Sequence, residues 1–596
     1  MKLIYILTLF ISMGLFNSCG EKVVFDHTNT QEYRIIKKAQ KRPDNVYGTY
    51  LAGRIAHMRQ SYDIAAAYYI KSLNLGTKSN DLLSNVYLLL ASEGDISKSA
   101  EYALKAHQAG DKSNLIAFIL MTENMKQSHF DAALDNTKLI EDKPFKDNIL
   151  PLFQAWIYTS LNQKEQALEI LEKLKKEKSL HPLYHMHRGM INDYFGDTKA
   201  AFEDYEVIVN DETLPLSFRF LEIIGNFYIR NGQKDKILDV ARKYSIQNQQ
   251  TPLLESLVQS FEQAQSEGLE KYIDTPQKGF AEAMFNVGTI FRGYQNEAAQ
   301  LFTALVLYLN NDFDVARVSL GELYEQAHRN QRAIDEYLKI KETSPVYYVA
   351  QLKIATNYAE TKQQEKALET LTNLLKSYPS NEQITFRLGE LSRVMGKYLQ
   401  ATDYYLKTLD KLPLQDKDRW LIYYALGISY ERQQQWDKAE DAFQKALELS
   451  NRHPIVLNYL GYSWLDRDMN TDEAIFMVFE AHYKAPEDGH IIDSLGWALY
   501  KMGKYQDAVK VLERASEYLP SNAVIFDHLG DAYWYAGRKN EARFQWGHAL
   551  QATEDKEDLD ENLVRQKIEN GLEKRDPVTF DESLLLERLK KFEGQK

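Results

Sequence analysis

Apolar positions along the chain recur with the spacing of amphipathic helices, and between Gly489 and Leu550 they recur as helix pairs in a fixed register. Leu495, Gly496, Ala508, Leu512 and Ala515 return 34 residues later as Leu529, Gly530, Ala542, Trp546 and Ala549. Two unrelated amphipathic helices would not keep five positions in phase. The pattern predicts units of two helices of roughly a dozen residues, each about 20 Å long and too short to persist in water without packing. Each pair must bury one face internally and another against the next pair. Gly496 and Ala508 are placed where the two helices cross most closely, since a long side chain has no room there. Ile492, Leu499 and Leu512 fill the space around that contact. Pro520 stops the second helix because it has no N–H to donate and clashes with the preceding turn.

The small residue opening the second helix tracks the register along the chain. Ala439, Ala474, Ala508 and Ala542 are separated by 35, 34 and 34 residues. Upstream, Ala299, Ala333, Ala367 and Ala401 are each 34 apart, with first-helix partners Val287, Gly321, Ala355 and Gly389. The 38-residue step from Ala401 to Ala439 absorbs a longer loop at 412–419. A more worn series runs through Ala65, Ala100, Ala133, Ala167 and Ala201, matched by Gly53, Leu88, Met121, Ala155 and Gly189. Ile237 with Gly225 reads as a degenerate sixth unit. Between Ile237 and Ala299 lie 62 residues in which helical patterning persists but the marker is lost. Asp274, Thr275, Pro276 and Gly279 break the pattern there, so 246–279 reads as a helical insertion and a candidate hinge between two arrays.

A period of 34 carrying leucine-glycine, then alanine, a large apolar residue and alanine resembles the tetratricopeptide repeat. That resemblance implies an all-α fold, a right-handed α-solenoid of about fourteen helix–turn–helix units. The expected organisation is a degenerate N-terminal array over 46–245, the insertion at 246–279, a C-terminal array over 280–550, and charged capping helices over 551–596 that cover the last apolar face. In this family the first helices line a concave groove. By the same resemblance Tyr424, Arg432, Asn458, Tyr459, Tyr462, His490, Asp493, Trp497, Tyr500, Lys501, Asp527, His528, Asp531, Trp534 and Tyr535 face it. Aromatic and acidic side chains are concentrated in that set, which suits a protein or peptide partner. The lysine and asparagine clamp by which chaperone-binding members grip a terminal carboxylate is replaced by Asp493, Asp527 and Asp531, so chaperone tails are not the expected ligand. The block from Asn458 onward also resembles exported tetratricopeptide proteins of proteobacteria, particularly alphaproteobacteria.

Composition narrows the function further. A chain of 596 residues with 44% hydrophobic and 26% charged residues is too long for one compact core and is folded rather than disordered. A net charge of −13 argues against nucleic acid, whose binding rests on lysine and arginine. At the N-terminus, Lys2 precedes an apolar run from Leu3 to Phe16 that is shorter than the roughly 20 residues a spanning helix needs. This is the layout of an export signal over 1–19, followed by a tether over 20–45. Cys19, the sole cysteine, follows the run. With Leu15, Phe16, Ser18 and Gly20 around it, the site resembles a bacterial lipobox. The resemblance implies acylation of Cys19 and sorting to the outer membrane, facing the periplasm.

Catalytic patterns are missing: there is no phosphate-cradling loop, Rossmann fingerprint or nucleophile elbow. His181, His185 and His187 form the densest histidine group, but 185 and 187 point to different sides of a helix that opens near Pro182, a poor arrangement for zinc. No cofactor, metal or small-molecule substrate is expected. The reading that results is a non-enzymatic scaffold, lipid-anchored in the envelope, recruiting protein partners for envelope assembly or export machinery. Two other readings stay open: a glycan-related or processing enzyme with a site hidden in the off-register segment, and a membrane-anchored cytoplasmic adaptor.

Overall fold

The computed structural model describes residues 45–211, 216–247, 251–413, 417–573 and 576–593. The export signal, Cys19 and nearly all of the tether lie outside the described residues. Among those described, regular structure is helical throughout, apart from one isolated bridge between Asn522 and Glu554.

First helices open on side-chain caps that satisfy otherwise orphaned N–H groups: Ser79, Ser113, Ser217, Asn381, Asp488 and Asn522 each accept from a backbone amide of the first turn. The turn into the second helix uses a left-handed residue. Gly503 and Gly537 take it without strain, whereas Gln60, Ser128 and Asn162 adopt it with a side chain.

The alanines that mark the register are all interior, from Ala65 and Ala201 at 0% exposure to Ala100 at 7%. The first-helix glycines meet a partner the marker does not show. A Cβ on Gly496 would sit 2.4 Å from Leu512, and one on Gly530 would sit 2.4 Å from the Trp546 ring. The same geometry pairs Gly53 with Tyr69, Gly189 with Tyr205, Gly321 with Tyr337, Gly389 with Tyr405 and Gly427 with Phe443. Each ring or leucine lies 16 positions after its glycine, so the crossing is a ring-on-glycine contact, with the alanine packed beside it.

The chain divides into two compact units, 1–370 and 371–596. The division falls at 370/371 and not at the expected hinge, 246–279, because that segment is built into the first unit. There, Phe261 on the helix Pro252–Gln263 occupies the space over Gly225. Asn226 donates to the Glu270 carbonyl at 2.9 Å, and the Tyr272 hydroxyl donates to Glu222 at 3.2 Å.

Within that first unit, helices Pro276–Phe291 and Asn296–Leu309 lie against the first helices of earlier pairs. Gly279 admits the Trp156 ring, Phe280 meets Phe153 edge-on at 5.2 Å, and Phe302 meets Phe118 at 5.3 Å. Tyr308 donates to Glu123 at 2.8 Å, and Gln300 to the Ser92 carbonyl at 3.0 Å. The buried Arg219 bridges Glu222 and Glu282 with its ring-facing side on Phe313. The histidine trio is distributed over three contacts. His181 reaches the Lys175 carbonyl, His185 reaches Asp204 at 2.9 Å, and the buried His187 accepts from the Trp156 indole at 2.9 Å.

In the second unit, helix pairs run from Glu382–Val394 to Lys539–Gln551, and the first helices Pro454–Asp466, Gly489–Lys501 and Ala523–Tyr535 touch in succession. Two further helices follow, Glu561–Asn570 and Glu582–Glu593. The latter packs on Thr471–Lys484, where Arg588 pairs with Glu473 at 2.6 Å and covers Phe476.

Candidate partner-binding groove

Because successive first helices are side by side, residues one repeat apart on their shared face come into contact. Asp493 and His528 are such a pair: Nδ1 of His528 donates to the Asp493 carboxylate at 3.0 Å. The Trp497 ring stacks on His528 at 4.2 Å and on Tyr500 at 4.7 Å. Tyr535 closes the aromatic row, edge-on to Tyr500 at 5.6 Å and stacked on Tyr505 at 5.0 Å. Upstream, Tyr459 lies edge-on to Tyr424 at 5.7 Å and donates to Glu431 at 3.0 Å, while Tyr462 approaches the His528 ring at 6.1 Å. His490 stands apart, exposed in the first turn of its helix.

The face is not bare. The polar helix Glu561–Asn570 packs on the last second helix, Lys539–Gln551, and borders this face, where Lys567 places its ammonium 2.8 Å from Asp527 and 2.9 Å from Asp531. Asp531 also accepts from the Trp546 indole at 2.9 Å, so the carboxylate is held from the core side as well. Past this helix, the Trp534 indole donates to the Leu572 carbonyl at 3.0 Å and the Tyr535 hydroxyl to that of Glu573. Before it, Asp558 pairs with Arg432 at 2.6 Å. Asp493, Trp497, Tyr500, His528 and Asp531 are buried, and Tyr459, Tyr462, Asp527, Trp534 and Tyr535 partly so. Lys501 is buried too, its ammonium on Asp468 at 2.9 Å.

Electrostatics follow from that enclosure. Burial, with Asp527 beside it, pushes the Asp531 carboxyl up to about 6, although Lys567 pulls the other way. Burial disfavours a charged His528 ring, but Asp493, backed by Asp527 and Asp531, outweighs it and lifts the imidazole above its ordinary value. Three carboxylates thus face one imidazole from their own helices and one ammonium from the tail. The Trp497 indole N–H is buried without an acceptor among the described residues.

The contacts described link the other groove residues expected from the sequence, with Lys501 over the Trp497 ring, but not His490 or Asn458. Lys567, Asp558 and the Leu572 and Glu573 carbonyls were missed. The only trace was the apolar pair Val564 and Ile568 flanking Lys567 in an otherwise charged stretch, with Gly571 to end it. Family models described as tetratricopeptide repeat match residues 349–381, 420–453 and 494–557. The chain contains tetratricopeptide repeats.

The repeats also carry its likeness to known proteins. It is 27% identical over 251 residues to the TPR repeat-containing protein PA4667 of Pseudomonas aeruginosa, covering 42% of this chain and 36% of that one. It is 25% identical over 221 residues to the protein O-mannosyl-transferase TMTC1 of Homo sapiens, covering 36% of this chain and 24% of that one. The chain thus spans well under half the length of either relative. Among solved structures it is similar to the APC/C hetero-tetramer Cut9-Hcn1, with a TM-score of 0.35 at 15% identity, covering 91% of this chain and 99% of that one.

Proposed function

We propose that this chain is a non-enzymatic scaffold that captures protein partners in the groove of its last repeats, and that an acylated Cys19 holds it at the outer membrane, facing the periplasm. Its work in this reading is the assembly of envelope or export machinery. The observation that carries the reading is that the groove already grips a polypeptide: Asp527 and Asp531 take a lysine, and Trp534 and Tyr535 take backbone carbonyls. Backbone recognition beside one charged side chain is how a peptide-binding surface combines affinity with selectivity.

In the first unit the corresponding inner face is packed with Phe280 and Phe302, both interior, which leaves the second unit as the place to capture a partner. The matched part of the human transferase is a quarter of its length, and the reading takes no chemistry from it. In-cell crosslinking and capture with the wild-type chain and with Asp527→Asn, Asp531→Asn tests the groove. Identical partner sets would sink it. Metabolic labelling with a fatty-acid analogue tests the anchor, and a Cys19→Ala chain that still sediments fully with membranes would refute it.

A further inference from the structure

The stretch 555–573 does not have the character of another repeat. Its helix Glu561–Asn570 buries only Val564 and Lys567, and the next helix among the described residues begins only at Glu582, where a repeat would turn directly into a second helix. A cap needs only to cover the last helix pair, yet Asp558 reaches Arg432, several helices back on the same face. Remove the stretch, and Asp527 and Asp531 lose the Lys567 ammonium, with the His528 imidazole on Asp493 the remaining counter-charge among the described residues, while the Trp534 N–H and Tyr535 O–H lose the Leu572 and Glu573 carbonyls. Such a surface demands a cation and two acceptors from whatever replaces the stretch.

We propose that residues 555–573 are a resident stand-in for the partner, and that the partner is a protein presenting a short lysine-bearing helix that displaces them. This rests on the scaffold reading above and specifies what the groove selects. The ammonium must sit between Asp527 and Asp531, and the chain just beyond the helix must offer carbonyls to Trp534 and Tyr535. The buried Trp497 N–H is a further donor that the resident stretch leaves unused and a partner can fill.

The test uses the full chain and a fluorescent synthetic peptide of residues 555–573, followed by anisotropy. Lys567→Ala weakens the resident stretch, so the labelled peptide is expected to bind this variant at least about tenfold more tightly than wild type. The same peptide carrying Lys567→Ala, or a Lys567→Ala chain that also carries Asp527→Asn and Asp531→Asn, is expected to lose at least about tenfold. Equal binding to wild type and Lys567→Ala, or binding indifferent to the peptide's lysine, overturns the proposal. Should Lys567→Ala lose helical circular dichroism, Gly571→Ala serves instead. Its Cβ would strike the Trp534 ring and dislodge the carbonyls while sparing the lysine, and peptide binding no tighter than to wild type overturns the proposal. Peptide exchange is measured with purified components. Its failure leaves the cellular capture experiment standing, whereas partner sets identical for wild type and Asp527→Asn, Asp531→Asn alongside intact exchange sink only the scaffold reading.

Discussion

Gly530 and Gly547 lie one helix apart, and the repeat geometry assigns them opposite responses to the same methyl group. Both are helical, so replacement by alanine gains about 0.5–1 kcal/mol by restricting the unfolded chain. At Gly547 nothing lies within 4 Å of the new Cβ, and that gain is the whole effect. At Gly530 the Cβ would stand 2.4 Å from both Cδ1 and Nε1 of Trp546, a ring with no exposed surface. Overpacking of this kind costs about 1–3 kcal/mol. Retreat of the ring also strains the 2.9 Å bond from its indole to Asp531, a hydrogen bond to a charged group worth about 1.5–3 kcal/mol. Even after the helix-propensity gain, Gly530→Ala is expected to destabilise the last repeats by about 2–4 kcal/mol. Urea melts followed by tryptophan fluorescence, with amide exchange to localise the loss, provide the assay. Adding Trp546→Leu to Gly530→Ala should relieve the clash, so the double variant costs less than the sum of the singles. A Gly530→Ala chain as stable as Gly547→Ala would refute the ring-on-glycine account of the repeat.

Three further outcomes follow from buried ionisable groups. His187 is held down to about 3 by burial, well below the 6.5 of an unfolded chain, so the unfolded state binds the extra proton and the first unit loses stability as pH falls below about 6.5. The loss should reach about 2 kcal/mol by pH 5 and shrink in His187→Gln, read from a fluorotryptophan NMR signal at Trp156 during urea titration. Arg219→Met should cost the first unit about 3–5 kcal/mol by stranding Glu222 and Glu282, and Glu282→Leu in the same chain should recover part of it, measured by chemical denaturation. Burial raises Asp531 to about 6, so it takes up a proton more readily when enclosed than when exposed, and the helix Glu561–Asn570 should be held more firmly as pH drops from 7.5 to 5.5. Its amide exchange, corrected for intrinsic rates, should fall there and stay flat in Asp531→Asn.

The helix pairs were legible because their contacts are short-range and repeat: a small residue every 34 positions is the trace of a crossing that recurs, and Ala439, Ala474, Ala508 and Ala542 all end with no exposed surface. The large side chain opposite each glycine is equally periodic and shows in the last two repeats as Leu512 and Trp546, but its identity shifts among tyrosine, phenylalanine, leucine and tryptophan, which makes it harder to follow upstream than the alanine. What covers each inner face was not legible. Tyr308 meets Glu123 across 185 positions, and the groove takes Leu572 and Glu573 by their carbonyls, which any sequence would supply. The role of the buried His187 was not legible either, because its partner, Trp156, lies in another pair.

Both units cover the inner faces of their first helices with their own chain, yet the two covers differ in what removal would cost. In the first unit the cover is built from helices that carry Phe280, Met284, Phe302 and Leu305, all interior and clasped by rings from earlier pairs. Exposing such a surface costs about 1.5–3 kcal/mol for each large side chain, so that cover is integral to the fold. In the second unit the cover is a polar helix of 10 residues that buries Val564 and the Lys567 ion pairs, with Leu559, Ile568 and Leu572 only partly buried around it. A buried ion pair roughly balances its own desolvation, and its value lies in which partner it accepts. A face sealed by apolar rings is structural, whereas a face closed by one lysine and two carbonyls can be exchanged for another chain that offers the same groups.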